Sequence, residues 1–505
     1  MIGLKSMAGV RDVVRGGSWP ARLLDMFTSR AAQESFEFEA VVTDACAAAN
    51  VAVPSEAHLP HARWWKKLCR ACQDKTGTTK HGSQLLRSRL TNALAQRLAV
   101  EEVYRLNGGE IAKEPAVENP IVIMGLPRSN GHMAAHVLAR SGLFLTPRQC
   151  DTLSPSLLLD VERRDAFRKK FRGFSYLHPD FLCVRVPQAD QVDDDLTLHL
   201  MTPQSYAWGL LHGLDEYLLE CLEEDQLPVY TEVRRVIELL QWYRKCGHFS
   251  EPVTREFDPI DNVMELQAYG TKNVLLRPQW LLYSPFAILS PDAVNTVFPK
   301  MKAIWVHRAL SQCLPSLCSA LCLHNTLYTG KPPSDSQLAS MGEKVLGIFG
   351  SGTAYAIEYY GKFDQRRMAH WSNRDVKRHA TRVATKTLDY FSIELDRYRR
   401  MQMISGQTEY VSVSRPLHDA QMPYFCLHDG VIGDVFQDYI YQFAEFAFER
   451  KFGITVKEYT PLAAPADAMA MRGIAHGSSE PRSAPALGAG QPMVGHFQQE
   501  RRGFR

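Results

Sequence analysis

The chain has 505 residues, 45% hydrophobic and 22% charged, with a formal net charge of +3. That is the balance of an ordinary globular protein, with enough chain for one large domain with additions or for two. Near-neutrality gives no case for nucleic acid, which asks for a clustered basic face, and no charge-free apolar run reaches the roughly 18 residues of a membrane-spanning helix. The start shows no clean signal peptide, because Lys5, Arg11, Asp12 and Arg15 interrupt any apolar core. Eleven irregularly spaced cysteines read as reduced thiols. The expected compartment is therefore the cytoplasm, with a mitochondrial transit peptide left open by the Arg and Ser in residues 1–30.

Residues 1–115 read as a helical N-terminal region. The segment 82–108, GSQLLRSRLTNALAQRLAVEEVYRLNG, carries apolar residues at helical spacing and ends at Gly108–Gly109. Cys69-x-x-Cys72 has no second pair and reads as helix packing rather than zinc.

Residues 120–142 read PIVIMGLPRSNGHMAAHVLARSG. An apolar run, Ile121 to Met124, leads into Gly125, a tight turn from Pro127 to Gly131, and a helical pattern. A strand, a small-residue turn and a helix start make an anion site, because the helix N-terminus offers backbone N–H groups and a positive dipole end. Arg128 adds a planar fork suited to phosphate or sulfate. The Walker pattern GxxxxGK[ST] is not met: Asn130 stands at its second glycine and no Lys-Ser/Thr follows. His132 and His136 share an i, i+4 face but lack the Glu and third ligand of a zinc protease, so no metal is expected.

Further along, Arg163, Arg164, Arg168, Lys169, Lys170 and Arg172 form a basic run, read as a solvated helix face, with anion steering as the alternative. Asp193, Asp194 and Asp195 read as a loop or cap, with one of them open as a catalytic base. Residues 246–270 and 414–423 read as irregular. Buried strands are expected at 121–124, 273–276, 303–306 and 409–413, and a helix over 314–322. Alternating strands and helices from about 118 to 460 predict an α/β domain: a three-layer, P-loop-like parallel sheet flanked by helices. Residues 461–505, rich in Ala, Gly, Pro and Ser, read as a disordered tail.

Two stretches together resemble one family. GLPRS, from Gly125 to Ser129, matches the 5′-phosphosulfate loop of sulfotransferases, which often reads GLPRTGTT or GLPRSGTT. Asn130, Gly131 and His132 stand where that loop has Gly, Thr and Thr. AIWVHRALSQCLPSLCSALC (303–322) resembles the bacterial-type segment HRDPAAVVPSVASL, with His307, Arg308, Pro315 and Ser316 in common and Leu317 in the place of another aliphatic residue. TEVRRVIELLQWYR (231–244) resembles YRYLRRVLQLLQW, and residues 272–308 resemble WVLKSPQHLLHLDALLAVFPDARIVQTHR. The resemblance implies transfer of a sulfuryl group from 3′-phosphoadenosine 5′-phosphosulfate to a hydroxyl or amine, without a metal. Gly125, Pro127, Arg128, Ser129, Asn130 and Gly131 would hold the 5′ end of the donor, and Arg308 and Ser316 its 3′-phosphate. The last pair has a physical rationale: a strand-end arginine and a serine early in the next helix converge across the mouth of a parallel sheet. The implied acceptor is a small-molecule, carbohydrate or lipid hydroxyl compound. Oligomeric state is not read from the sequence.

The resemblance also implies a lysine on the transferring group and a histidine as base, from the pattern LKxPxHL. Aligned on Pro278, Leu276 and Trp280 stand at those places, and Arg277 is one position from the lost lysine. Arg128, Arg277 and His132 are then the candidates for catalysis. Erosion of the motif keeps two alternatives: a non-catalytic nucleotide-binding or scaffold protein on the same fold, and an atypical P-loop kinase.

Overall fold

The computed structural model describes residues 35–178, 181–182, 184, 186–245, 279–412 and 420–447. Five strands, β1 (Ile121–Met124), β2 (Phe144–Leu145), β3 (Gln279–Tyr283), β4 (Lys302–His307) and β5 (Met368–Ser372), form one sheet in the order β2-β3-β1-β4-β5. All pairings are parallel, with Ile121 opposite Leu281 on one side and Lys302 on the other. The outermost strands β2 and β5 flank an apolar centre, as expected where both faces of a parallel sheet are covered.

Side-chain alternation divides the sheet into two faces. Ile121, Ile123, Leu281, Tyr283, Ile304 and Val306 face one way, into a core with α4 (Gly131–Ala139), α9 (Asn373–Tyr390) and α10 (Arg397–Ser412). Val122, Met124, Trp280, Leu282, Ala303 and Trp305 face the other way. That second core holds α6 (Leu227–Lys245), α7 (Leu310–Thr329) and α8 (Asp335–Gly361), and the N-terminal helices α1 (Phe38–Ala49), α2 (Ala62–Asp74) and α3 (Lys80–Ile111). The fold is thus an α/β three-layer parallel sheet. Cys69 and Cys72 are buried on α2 and Cys313, Cys318 and Cys322 on α7; burial pushes the Cys69 thiol up to about 12.

Several expectations are corrected. The segment 409–412, read as a strand, is the end of α10. Its β-branched look is misleading, because Met403, Gly406 and Tyr410 recur at i, i+3 and i+7 toward the sheet and α4. At Gly406 a Cβ would stand 2.4 Å from Arg140 Cγ, so the helix relies on glycine there. β5, with His370 in its middle, went unread. α3 passes through Gly108–Gly109 and ends at Ile111. Residues 246–278, including the strand expected at 273–276, lie outside the described residues, as does 461–505. Of 414–423, only 420–423 is described, and a 3₁₀ turn starts at Met422.

The basic run is also corrected. It lies on α5 (Asp160–Leu177), where Arg168, Lys169, Lys170 and Arg172 are exposed but Arg163 is fully buried and Arg164 nearly so. Arg163 Nε lies 3.1 Å from Asp151, and Arg164 Nε donates to Asp190 at 2.7 Å. Arg148 donates to Asp151 at 2.8 Å and also to Asp160. Buried guanidinium groups need such partners; Asp160 opens α5 itself, whereas Asp151 and Asp190 come from other segments and are invisible to local reading.

Candidate functional site

The loop between β1 and α4 is built by backbone constraint. Gly125 has φ +141°, and a Cβ there would stand 2.3 Å from the Val306 carbonyl oxygen of β4. Asn130 has φ +80° and sits at the N-cap of α4, in the left-handed region. Glycine costs least in that conformation and asparagine is among the residues that tolerate it best, so Asn130 can replace the family's glycine without changing the turn. Gly131 is fixed by a neighbour instead: a Cβ there would stand 2.4 Å from the Tyr283 ring.

Three contacts tie the loop to the following motif. Arg128, itself at φ +75°, donates from Nε to Ser316 Oγ at 3.1 Å and from Nη1 to the Val184 carbonyl at 3.2 Å. Arg308 donates from Nη1 to the Arg128 carbonyl at 2.7 Å, and Cys313 Sγ to the Pro127 carbonyl at 3.1 Å. Ser129 N–H closes the turn onto Leu126. The residues read as two phosphate motifs therefore meet at the C-terminal edge of β1 and β4. Arg128, Ser129, Asn130, Gly131, Arg308 and Ser316 are brought together. The ends are in direct contact, because the Arg128 side chain bridges them. Burial lowers the Arg128 pKa, Tyr283 opposes that, and the neighbouring Arg308 charge adds to it. The group stays charged, since guanidinium does not deprotonate in proteins.

The site differs from the sequence reading at β3. Trp280 is buried on the α6 face, where its Nε1 donates to Gln241 at 3.0 Å, and it does not line the cavity described below. Leu276, Arg277 and Pro278 lie outside the described residues. The residue that β3 delivers to the loop is its last, Tyr283. From Trp280 to Arg308 the chain runs without a gap against WVLKSPQHLLHLDALLAVFPDARIVQTHR. In that register Pro285 takes the place of the motif's proline, Tyr283 that of its lysine and Ala287 that of its histidine. The constant distance to Arg308 was the available signal. Ala287, fully buried in a 3₁₀ turn, offers no proton acceptor.

Around Tyr283 stand three polar groups. Asp194 pairs with Tyr283 as a parallel bridge, and Asp195 N–H donates to the Tyr283 carbonyl at 3.1 Å. The His132 ring, in the first turn of α4, meets the Tyr283 ring edge-on at 5.9 Å and the Tyr410 ring at 6.5 Å. Burial and the Asp194 charge raise the Tyr283 pKa, against Arg128, so its hydroxyl is a neutral donor. Of the three acidic neighbours, Asp193 is buried and accepts from Thr152, and Asp195 is buried 3.2 Å from His199. Asp194 lines the cavity while accepting from the Leu196 amide at 3.2 Å.

The cavity encloses about 620 Å³ and is bordered at one end by Arg128, Asn130, His132, Asp194, Tyr283 and Arg308. Elsewhere its walls are largely apolar and aromatic. Its volume is in the range of sites that enclose a small molecule. For metals, Cys150, Asp151 and Asp160 bring ligand atoms within 4.8 Å of one another, but Arg148 and Arg163 already hold both carboxylates.

Open parallel sheets bind ligands at the carboxyl ends of their strands, and this site lies there. The architecture matches solved sulfotransferases. STF9 from Mycobacterium avium superposes with a TM-score of 0.63 at 17% identity, covering 80% of this chain and 96% of that one. STF1 from Mycobacterium tuberculosis H37Rv superposes with a TM-score of 0.61 at 15% identity, covering 79% and 98%. The chain therefore has the fold of the sulfotransferases. No protein-family model and no curated protein matches the sequence. Among the described residues no helix is long and apolar enough to cross a membrane.

Proposed function

We propose that the chain binds 3′-phosphoadenosine 5′-phosphosulfate at the Gly125–Gly131 loop and transfers its sulfuryl group to a hydroxyl in the cavity. The observation that carries this is the convergence of Arg128, Arg308 and Ser316 at the sheet's carboxyl edge, in the register of the resemblance. The site suits a nucleotide bisphosphate on its own chemistry. The Arg308 Nε is buried without a hydrogen-bond partner among the described residues, and the Asn130 and Gly131 amides make no hydrogen bond within them. Arg308 and Ser316 would hold the 3′-phosphate, and the loop amides with Arg128 the 5′ end. No metal is called for by this donor set.

The donor supplies the sulfuryl group: its S–O bond to the 5′-phosphate breaks as a new S–O bond forms to the acceptor oxygen, and the bond electrons leave on adenosine 3′,5′-bisphosphate. Asp194 takes the acceptor proton. Tyr283 offers an O–H donor where the resemblance has a lysine, and Arg128 with His132 faces the developing negative charge. The exchange of a cation for a phenol predicts slow turnover.

That exchange, with Ala287 in the histidine place, also favours a second reading: a protein that binds the nucleotide and does not transfer. A donor-consumption assay with a panel of alcohols, alongside calorimetry with adenosine 3′,5′-bisphosphate, separates the two. Binding with turnover supports transfer, binding without turnover supports the second reading, and absent binding defeats both.

A further inference from the structure

The cavity has a second cationic end, on α3. Arg89 lines it half-buried, its guanidinium 5.9 Å from the centroids of both the Phe174 and Tyr328 rings. Among the described residues it makes no hydrogen bond and no ion pair, unlike Arg87 and Arg97 on the same helix. Exposed Ser88, Lys170 and Gly173 form the rim beside it. Nearby His178 stays neutral at ordinary pH, its pKa lowered to about 4 by burial, His81 and the Arg89 charge. Of the described lining residues, Arg89, Arg128, Lys170 and Arg308 carry positive charge and Asp194 alone carries negative.

Between the two ends the wall is largely apolar. α7 presents Leu317, Leu321 and His324 on one face at i, i+4 and i+7, with Phe181 edge-on to His324 at 4.9 Å. From Ser316 to His324 this helix rises about 12 Å. A guanidinium placed over aromatic rings without a carboxylate is a recognition group for an anion, since a charge left without a partner in a partly desolvated wall is otherwise costly.

We propose that the acceptor is an elongated apolar alcohol with an anionic headgroup. Its hydroxyl lies at Asp194 and Tyr283, its body along α7, and its headgroup on Arg89 at the rim, roughly 10 Å or more from the reacting oxygen. This assignment rests on the sulfuryl-transfer reading for the role of the hydroxyl, but headgroup binding is measured without the donor. Calorimetry with 10-hydroxydecanoate and with 1,10-decanediol compares ligands of one length that differ in the anion, and 10-hydroxydecyl phosphate tells whether carboxylate or phosphate is preferred. The wild-type protein binds one of the two anionic ligands at least roughly tenfold more tightly than the diol. In Arg89→Met that ratio collapses to about threefold or less, whereas Arg89→Lys keeps part of it. Equal affinity for diol and both acids, no saturable binding of any, or a ratio unchanged in Arg89→Met overturns the assignment. Should Arg89→Met fail to fold, the wild-type ratio measured at low and high salt decides it, since a headgroup held by charge loses its advantage as salt rises. Adenosine 3′,5′-bisphosphate titrated into the same samples reports separately on the donor site: failure there with Arg89-dependent acid binding defeats the sulfuryl-transfer reading and leaves the anionic amphiphile site standing.

Discussion

Arg128 Nε donates to Ser316 Oγ at 3.1 Å across a sequence separation of 188 residues. With the Cys313 contact to the Pro127 carbonyl, this bond joins the loop after β1 to the helix after β4. In Ser316→Ala the Arg128 Nε loses its acceptor, so the unfolding free energy falls by about 1–3 kcal/mol. If Ser316 also holds the 3′-phosphate, the preference for adenosine 3′,5′-bisphosphate over adenosine 5′-monophosphate shrinks in the same variant. Denaturant unfolding and calorimetry read the two effects, and an unchanged nucleotide preference assigns Ser316 to the loop alone.

Gly125→Ala forces a Cβ against the Val306 carbonyl at a backbone angle that L-residues rarely adopt. We expect a loss of about 2 kcal/mol or more of stability. Asn130→Gly keeps the left-handed turn and shifts stability by less than about 1 kcal/mol. Equal effects of the two changes in urea unfolding would refute the account of the loop.

Tyr283→Lys restores a cation at the end of β3 and raises the rate of sulfuryl transfer by at least about tenfold. Asp194→Asn lowers it by about 10²–10⁴, with nucleotide affinity unchanged. Donor consumption under single-turnover conditions measures both. A wild-type rate that survives Asp194→Asn places the proton acceptor elsewhere.

Stability also depends on pH through β4 and β5. His307 is fully buried between the Tyr439 hydroxyl and His370 Nδ1, both at 2.9 Å. Burial lowers the His370 pKa to about 4, and burial with His370 drives that of His307 well below its ordinary value. Unfolded histidine titrates near about 6.5, so below that the unfolded chain binds protons that the native chain refuses. The stabilisation is complete above about pH 6.5 and is lost as pH falls toward about 4, by about 1–3 kcal/mol for His370. Urea midpoints at pH 7.5 and 5 should differ accordingly, and less so in His370→Gln; a flat profile in the native sequence goes against it.

The sequence announced β1 and β4 because both are continuous apolar runs, and the loop between Gly125 and Gly131 because turn and helix-start residues are local. Arg308 and Ser316 were legible for the same reason: their spacing is fixed by one strand and one helix. β3 was misregistered because the two residues that mark its motif are gone. With Tyr283 and Ala287 in place of lysine and histidine, the nearby residues favour neither Pro278 nor Pro285; the unbroken distance to Arg308 favours Pro285, and the fold sets the strand end before it, Tyr283, against Gly131. Asp194 could not be told from Asp193 and Asp195, since which of three adjacent carboxylates faces a cavity is a tertiary property. Arg89 carried no local signal, because what distinguishes it is that no carboxylate among the described residues reaches it. The buried arginines of α5 were missed because Asp151 and Asp190 lie in other segments, and the β-like end of α10 because its packing partners do.

The central claim is that one nucleotide bisphosphate occupies the ground shared by the loop and the Arg308–Ser316 pair. Calorimetry of adenosine 3′,5′-bisphosphate against the native protein and Arg308→Ala tests it most directly. Saturable one-to-one binding is expected, weakened by about 1.5–3 kcal/mol in the variant, the worth of a charge-assisted hydrogen bond. No binding to the native protein, or equal affinity in a folded Arg308→Ala, would contradict it.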